Sequence, residues 1–300
     1  MLSVVTPAYR EEQNLPQLYQ RLRAALGRCE WEWVVVDDHS QDGTFAAIAD
    51  LAAKDARIRG VRLSRNFGSH AAILCGLERS RGNAVVVIAA DMEEPPEILP
   101  KLIAEWKNGF QVVWGIRSQA AGVASSAYHR MMRRMAGIEH IPDGGPGCFL
   151  IDRTVVSALA TFGERHNNLF VLLAWMGFRQ SSVTYERAVR THGRSGWSMS
   201  KKIELLLDSV TAFSYKPIRW MSLIGAVTAV AGFLWAGEVL VNALKGNPPQ
   251  GFSSLMVAVL IVGGVQMLMM GVLGEYLWRA LDESRRRPRY VVEDATRDLD

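Results

Sequence analysis

Three hundred residues, 49% of them hydrophobic, suffice to bury one full core and to carry an appendage. The net charge of +4 comes from basic residues spread along the chain except near the C-terminus, which argues against a nucleic-acid partner. Cys29, Cys75 and Cys148 stand far apart without CxxC spacing, which excludes a zinc site or disulfide framework and points to reduced thiols in a cytosolic domain.

Residues 2–6 predict a short apolar strand, too short for the core of a signal peptide and stopped at Thr6-Pro7-Ala8-Tyr9. Glu11, Glu12 and Asn14 then open a helix to about Leu26, with Leu15, Leu18, Leu22 and Leu26 at helical spacing. Trp31–Val36 predicts the second strand. It ends in a polar turn from Asp37 to Thr44 that caps a helix over about 44–53. A third strand over Ile58–Leu63 leads through Ser64–Gly68 into a helix over about 69–79, broken by Gly82. Strands alternating with helices at this spacing predict right-handed βαβ units and a parallel sheet.

The next stretch, AVVVIAADMEEPPE from Ala84 to Glu97, opens on an apolar run of the kind buried on both faces of a parallel sheet. It then turns acidic at Asp91, Glu93 and Glu94, and Pro95-Pro96 forbids further pairing. Carboxylates at the C-terminal end of such a strand suit Mg²⁺ or Mn²⁺ bridging substrate phosphates; alternatively, Asp91 and Glu94 cap the following helix. Polar clusters at Pro7–Glu11, Asp37–Asp42 and Asp91–Glu94 are expected to converge on one sheet edge, forming a nucleotide crevice. With neither GxGxxG nor GxxxxGK[ST] present, a nucleotide-sugar site fits better than a dinucleotide fold or a P-loop.

Four ordered motifs then carry a family resemblance. TPAYREEQN resembles the PxYNEExN opening of inverting family-two glycosyltransferases with a GT-A fold, and VVVDDHSQDGT resembles their VDDgSxDGT. RNFGSHAAILCGL is similar to RNfGkxaAxxxGL. IAADMEEPPE is similar to the DADLQdPPE of the polyprenyl-phosphate branch, which includes dolichyl-phosphate mannose synthase and bactoprenol glucosyltransferases. The resemblance covers about residues 1–217. It implies that Pro7, Tyr9, Glu11 and Asp38 hold the donor nucleoside, and that Asp91 coordinates a cation on the diphosphate. The first acid of the family's DxD is Ala89 here and its Gln is Glu93, so Glu93 supplies the lost charge in an Asp91-x-Glu93 pair.

Phe110–Arg117 predicts a further strand, and the resemblance turns Arg117 toward phosphate. Residues 118–135, with Arg130, Arg133 and Arg134, read as a partly amphipathic helix near phosphate or membrane. The glycine-rich segment Asp143–Arg153 resembles the family's GDFRLxDR, in which an Asp is the general base. Gly147 stands at that position, which leaves Asp143 as first and Glu93 as second candidate for the base; Asp152 and Arg153 read as structural. A helix over about 154–162 follows, then a core helix in Leu169–Phe178, too short to span a bilayer, and a strand over Gln180–Glu186. The segment from Arg187 to Trp197 resembles a loop that closes over the donor diphosphate, with Arg190, Arg194 and Ser195 as its phosphate donors. His192 reads as an ordinary loop histidine.

Residues 199–217 place Ile203, Leu206, Leu207, Val210 and Phe213 on one helix face, behind Lys201 and Lys202, as an interfacial helix or one packed on the domain. Two spans are expected at about 221–244 and 252–277, joined by a short turn. Arg219, Arg279, Arg285, Arg286, Arg287 and Arg289 flank the outer ends while the turn holds only Lys245, so both termini and the catalytic domain are expected in the cytoplasm of an inner-membrane protein. The glycine- and methionine-rich second span permits contact between subunits of a homo-oligomer. Residues 280–300 read as a flexible tail.

The sequence therefore predicts an α/β protein: a GT-A (Rossmann-like, mostly parallel) catalytic domain over 1–198, an interfacial helix over 199–217, and a hairpin over 218–279. The resemblance implies inverting transfer of a sugar from a UDP- or GDP-linked donor to polyprenyl (undecaprenyl) phosphate, with Mg²⁺ or Mn²⁺ as cofactor, for cell-envelope glycan or lipid modification. The alternatives are another glycan or lipid-linked acceptor, or a catalytically silent membrane scaffold suggested by Ala89 and Gly147.

Overall fold

The computed structural model describes residues 1–27, 29–118, 146–162, 168–186, 216–245 and 251–297. Asp143, the loop with Arg190, His192, Arg194 and Ser195, the helix expected after residue 118 and most of the one expected over 199–217 lie outside these residues. The chain divides into two units, Met1–Ser209 with Arg287–Asp300, and Val210–Arg286.

The first unit is built on one eight-stranded sheet. Strands β1 (Leu2–Ala8), β2 (Trp31–Asp37), β3 (Ile58–Leu63) and β4 (Ala84–Val87) alternate with helices α1 (Leu15–Leu26), α2 (Thr44–Lys54) and α3 (Ser69–Arg79). After β4 come a 3₁₀ turn (Pro96–Ile98), α4 (Leu99–Lys107), β5 (Val112–Arg117), β6 (Pro146–Asp152), α5 (Arg153–Ala160), α6 (Leu169–Trp175) and β7 (Gln180–Tyr185). With β8 (Val292–Ala295), the order across the sheet is β7-β5-β6-β4-β1-β2-β3-β8. Strands β4, β1, β2 and β3 run parallel, as the alternation predicts, whereas β6 lies antiparallel to both β4 and β5. The leucine stripe of α1 is buried against the sheet, each side chain contributing about 1.5–3 kcal/mol.

Sequence reasoning ends the first strand at Thr6, yet β1 runs through Pro7 to Ala8. In a parallel strand, alternate residues bond to opposite neighbours. Val5 accepts from Ile88 on the β4 side and Ala8 from Asp38 on the β2 side. Pro7 therefore faces β4, which has already left the sheet after Val87, and its missing N–H costs nothing there.

Two further strands go unread in the sequence. The glycine-rich segment contains β6, whose Cys148, Phe149, Leu150 and Ile151 are fully or almost fully buried between β4 and β5. The tail expected to be flexible instead returns to the sheet as β8, pairing antiparallel with β3. Thr296 N–H donates to the Gly60 carbonyl and Gly60 N–H to Thr296 Oγ1, while Arg297 caps the α2 carbonyl end at Ala52.

The second unit is a pair of helices, α7 (Lys216–Leu244) and α8 (Phe252–Ser284), longer than the spans expected. Each contains a stretch long and apolar enough to cross a membrane, Ile218–Val239 and Leu255–Ser284, with large apolar side chains such as Phe233 and Met267 exposed along them. Ser222 and Thr228 satisfy their hydroxyls on carbonyls one turn back, at 3.1 and 2.8 Å, as apolar surroundings require.

At the N-terminal edge of the sheet, Glu32 on β2 accepts from Ser3 Oγ (2.6 Å), the Arg81 amide (2.5 Å) and Arg59 Nη2 (2.7 Å). Burial alone raises a carboxyl pKa, but here the three donors and the Arg59 charge outweigh it and hold Glu32 below the usual range. Its folded pKa lies under its unfolded value, so this stabilisation is full above about pH 4.5 and fades as pH falls through the folded value. Glu32→Gln should cost about 3 kcal/mol at pH 7. Thermal melts of the two proteins should converge as the pH is lowered below about 4.5.

Candidate active site at the C-terminal edge of the sheet

The parallel register places the ends of β4, β1 and β2 side by side, with Ala8 beside Asp37 and Val5 beside Val87. The three expected polar clusters thus meet at one edge. Backbone strain gathers there too. Of the four described non-glycine residues with positive φ, Arg10 (61°), His39 (58°) and Met92 (58°) each lie just beyond one of these strands.

The first two turns are tied together. Arg10 N–H donates to Ser40 Oγ (2.9 Å), Glu11 N–H to Thr44 Oγ1 (2.9 Å) and Gly43 N–H to Glu12 (3.1 Å). Glu11 also accepts from Asn14 at 2.6 Å, and Tyr9 stands exposed with the Arg10 guanidinium over its ring. Asp37 is fully buried and accepts from the Ser40 amide at 3.0 Å. Asp38 points both oxygens at the turn before α3, accepting from the Phe67 and Gly68 amides at 2.7 and 2.8 Å. Gly68, at φ 94°, supplies the left-handed backbone that this turn requires. Burial raises the Asp38 pKa, the two amides oppose that, and the neighbouring Asp37 charge adds to it.

The third turn carries the acids. Asp91 accepts from the Glu93 amide at 3.2 Å, closing the turn on itself. Arg117, at the end of β5, lies 3.4 Å from Glu93 and 3.1 Å from Glu94 through Nη2, and 3.4 Å from the Tyr185 hydroxyl through Nε. Tyr185, at the end of β7, donates to Glu94 at 3.2 Å. Burial and the nearby Asp91 charge raise the Glu94 pKa while Arg117 pulls it down. Burial and the Glu94 charge likewise push the Tyr185 hydroxyl up.

The structure thus brings Pro7, Tyr9, Glu11 and Asp38 to one side of the edge and Asp91, Glu93 and Arg117 to the other. Tyr185 is a site residue that sequence reasoning did not name, and Glu94, read there as one of the strand-end acids or as a helix cap, makes no cap hydrogen bond to the following turn. The signals for them are the third acid of the DMEE run and an inward-facing tyrosine closing a short strand. Asp152 and Arg153 are structural, as read: Asp152 caps α5 through the Thr154 amide and accepts from Trp106, while Arg153 binds the Gly82 carbonyl.

Among the described residues no three His, Cys, Asp or Glu side chains group into an ion cage. A Mg²⁺ or Mn²⁺ held largely by phosphates and water needs only one or two carboxylates, and Asp91 and Glu93 meet that minimum. Gly147 on β6 lies directly over the Glu94–Tyr185 pair, where a Cβ would overlap both the hydroxyl and the carboxylate. Position 147 thus has no room for a side chain while Glu94 and Tyr185 occupy that space. Gly147→Ala should lower stability by about 1–3 kcal/mol, and Tyr185→Phe in the same chain should recover part of that loss, read by thermal melts of the single and double variants.

Residues 3–160 match the family description "Glycosyl transferase family 2", and residues 216–279 match "GtrB C-terminal hairpin". An undecaprenyl-phosphate 4-deoxy-4-formamido-L-arabinose transferase of Pseudomonas aeruginosa is 36% identical, the match covering 99% of this chain and 91% of the relative. A bactoprenol glucosyl transferase of Shigella phage SfV is 33% identical, over 98% of each. Glucosyl-3-phosphoglycerate synthase from Mycobacterium tuberculosis, crystallised with Mn²⁺, UDP and phosphoglyceric acid, shares the fold, with a TM-score of 0.52 at 17% identity over 70% of this chain and 76% of that one. Matched over more than half its length by the family and over nearly all of it by these relatives, the chain belongs to glycosyl transferase family 2, with a GT-A catalytic domain and two apolar helices of the GtrB hairpin type.

Proposed function

We propose that this membrane glycosyltransferase moves a sugar from a nucleoside diphosphate to polyprenyl phosphate at the cytoplasmic face of the membrane. The observation that carries the reading is the meeting of three strand-end turns at one sheet edge, with Asp91, Glu93 and Arg117 at one side and the Tyr9–Glu11 turn at the other. Both relatives named for a lipid-phosphate acceptor cover almost the whole chain. The sheet supports two crossings as well. Because β8 pairs with β3, the segments before and after the hairpin lie on the same side of a bilayer, which an even number of spans requires.

Pro7, Tyr9 and Glu11 hold the nucleoside, and Asp38 fixes the 67–68 turn beside it. Asp91, with Glu93, would hold a Mg²⁺ or Mn²⁺ ion, which would supply positive charge to the departing diphosphate. Arg117 adds a fixed positive charge on the same side, its guanidinium oriented by Glu94 and Tyr185. The family resemblance adds Arg190, Arg194 and Ser195 as phosphate donors, with Asp143 as the candidate base. The acceptor phosphate is already an anion, so a general base contributes less than stabilisation of the departing diphosphate, and the family resemblance implies that attack on the anomeric carbon is a single inverting displacement.

The test is transfer of label from a panel of UDP- and GDP-sugars into an organic phase, with the full chain in detergent, undecaprenyl phosphate and Mn²⁺ or Mg²⁺. Metal-dependent extractable label, reduced about 100-fold or more by Asp91→Ala, is the expected result. Label that stays in the aqueous phase with every donor would overturn the acceptor assignment. Transfer unaffected by Asp91→Ala would overturn the metal role.

A further inference from the structure

We propose that Glu293, on the strand that follows the hairpin, is a positioning residue for the donor nucleoside. It acts by fixing His39 and Arg62 beneath the turn between β2 and α2. The proposal rests on reading that turn as part of the donor site, and goes beyond it by placing a determinant of donor affinity in the C-terminal segment.

Across the β3–β8 pair, Val61 faces Ala295 and Arg62 faces Asp294, but Leu63 faces Val292. The shift leaves Glu293 without an opposite residue, a β-bulge at the last strand of the sheet. A bulge frees one side chain from strict alternation and re-aims it, and bulges concentrate at sheet edges and beside active sites.

At this bulge the side chain meets two groups of the donor turn. Glu293 Oε2 lies 3.2 Å from His39 Nδ1 and 3.1 Å from Arg62 Nε. His39 Nδ1 also lies 3.1 Å from the Leu63 carbonyl. Both partners are acceptors, so this network assigns a proton to Nδ1. His39 is one of the three residues at this edge with positive φ, a conformation that needs support from its surroundings. Arg62 passes the restraint on: its Nη2 donates to the Ser40 carbonyl at 3.2 Å, and Ser40 Oγ in turn accepts from the Arg10 amide at 2.9 Å. A continuous polar path therefore runs from Glu293 through Arg62 and Ser40 to the turn carrying Tyr9 and Glu11.

The strand's other anchors do not touch this path. Tyr290 bonds Glu78 and Arg79 on α3, Thr296 bonds Gly60, and Arg297 bonds the carbonyls of Ala52 and Ala56. These give the control that separates holding the strand from holding the turn.

The experiment uses the full chain in detergent. Binding of UDP and of GDP is measured directly for wild type, Glu293→Ala, Glu293→Asp, Thr296→Val and Arg297→Ala. Donor and acceptor KM and kcat are measured wherever transfer is observed. The expected result is a rise of about 5- to 10-fold in the Kd for the nucleotide and in donor KM for Glu293→Ala, with acceptor KM and kcat within about twofold. Glu293→Asp should restore part of the affinity. Thr296→Val and Arg297→Ala should lower Tm yet leave nucleotide affinity near wild type. Unchanged affinity in Glu293→Ala, or an equal loss in Thr296→Val, would overturn the proposal. If wild type binds nucleotide but transfers to no lipid phosphate, the acceptor assignment fails and the binding comparison still decides the role of Glu293. If wild type binds neither nucleotide, both readings fall.

Discussion

The parallel placement of β1 between β4 and β2 is the constraint on which the polar edge depends. Each of these strands is buried on both faces and shows no preference for either, so side-chain alternation does not decide what it presents to a ligand. Direction does. Because all three run the same way, each turn that leaves the sheet does so at the same edge, and Arg10 meets Ser40 across 30 positions while Val5 lies beside Val87. A reversed β1 would send Tyr9 and Glu11 to the opposite edge with no loss of core.

Buried carboxylates mark the difference between the two edges. Glu32, at the N-terminal edge, suffers desolvation but has three hydrogen-bond donors and a cation, and its pKa falls. Asp38 and Glu94, at the C-terminal edge, suffer the same penalty with a second acid close by, Asp37 in one case and Asp91 in the other, and their pKa values rise. The first arrangement is what fold stability selects. The second leaves negative charge incompletely matched, a condition that favours an incoming cation or a donated hydrogen bond.

Legibility in the sequence followed the range of the forces involved. The strands and helices from Leu2 to Arg79 were readable because local apolar periodicity and strand-end turn residues fix them, and the resemblance added Arg117 to the site. β6 was hidden by proline and glycine at its start, which read as a turn; only burial between two partners makes it a strand. β8 was hidden because VEDA is short and half acidic, and nothing local distinguishes it from a tail until β3 lies beside it. Tyr185 and Glu94 meet across ninety-one positions, and Glu293 and His39 across 254. No local pattern carries contacts of that kind.

The cluster at Glu94 shows why substituted acids need not signal a dead site. Gly147 removes a side chain from the volume above β4 and β7, and Glu94 and Tyr185 occupy that volume from two other elements. An acid at 147 could not coexist with them in this packing, since it would clash with both and bring a second carboxylate against Glu94. Gly147 thus leaves room for Glu94, which stands in the turn after β4 and pairs with Arg117. Loss of an acid at one position is therefore weak evidence for a scaffold. What distinguishes the two readings is the charge left at the site, and at this edge Asp91, Glu93, Glu94 and Arg117 stand together.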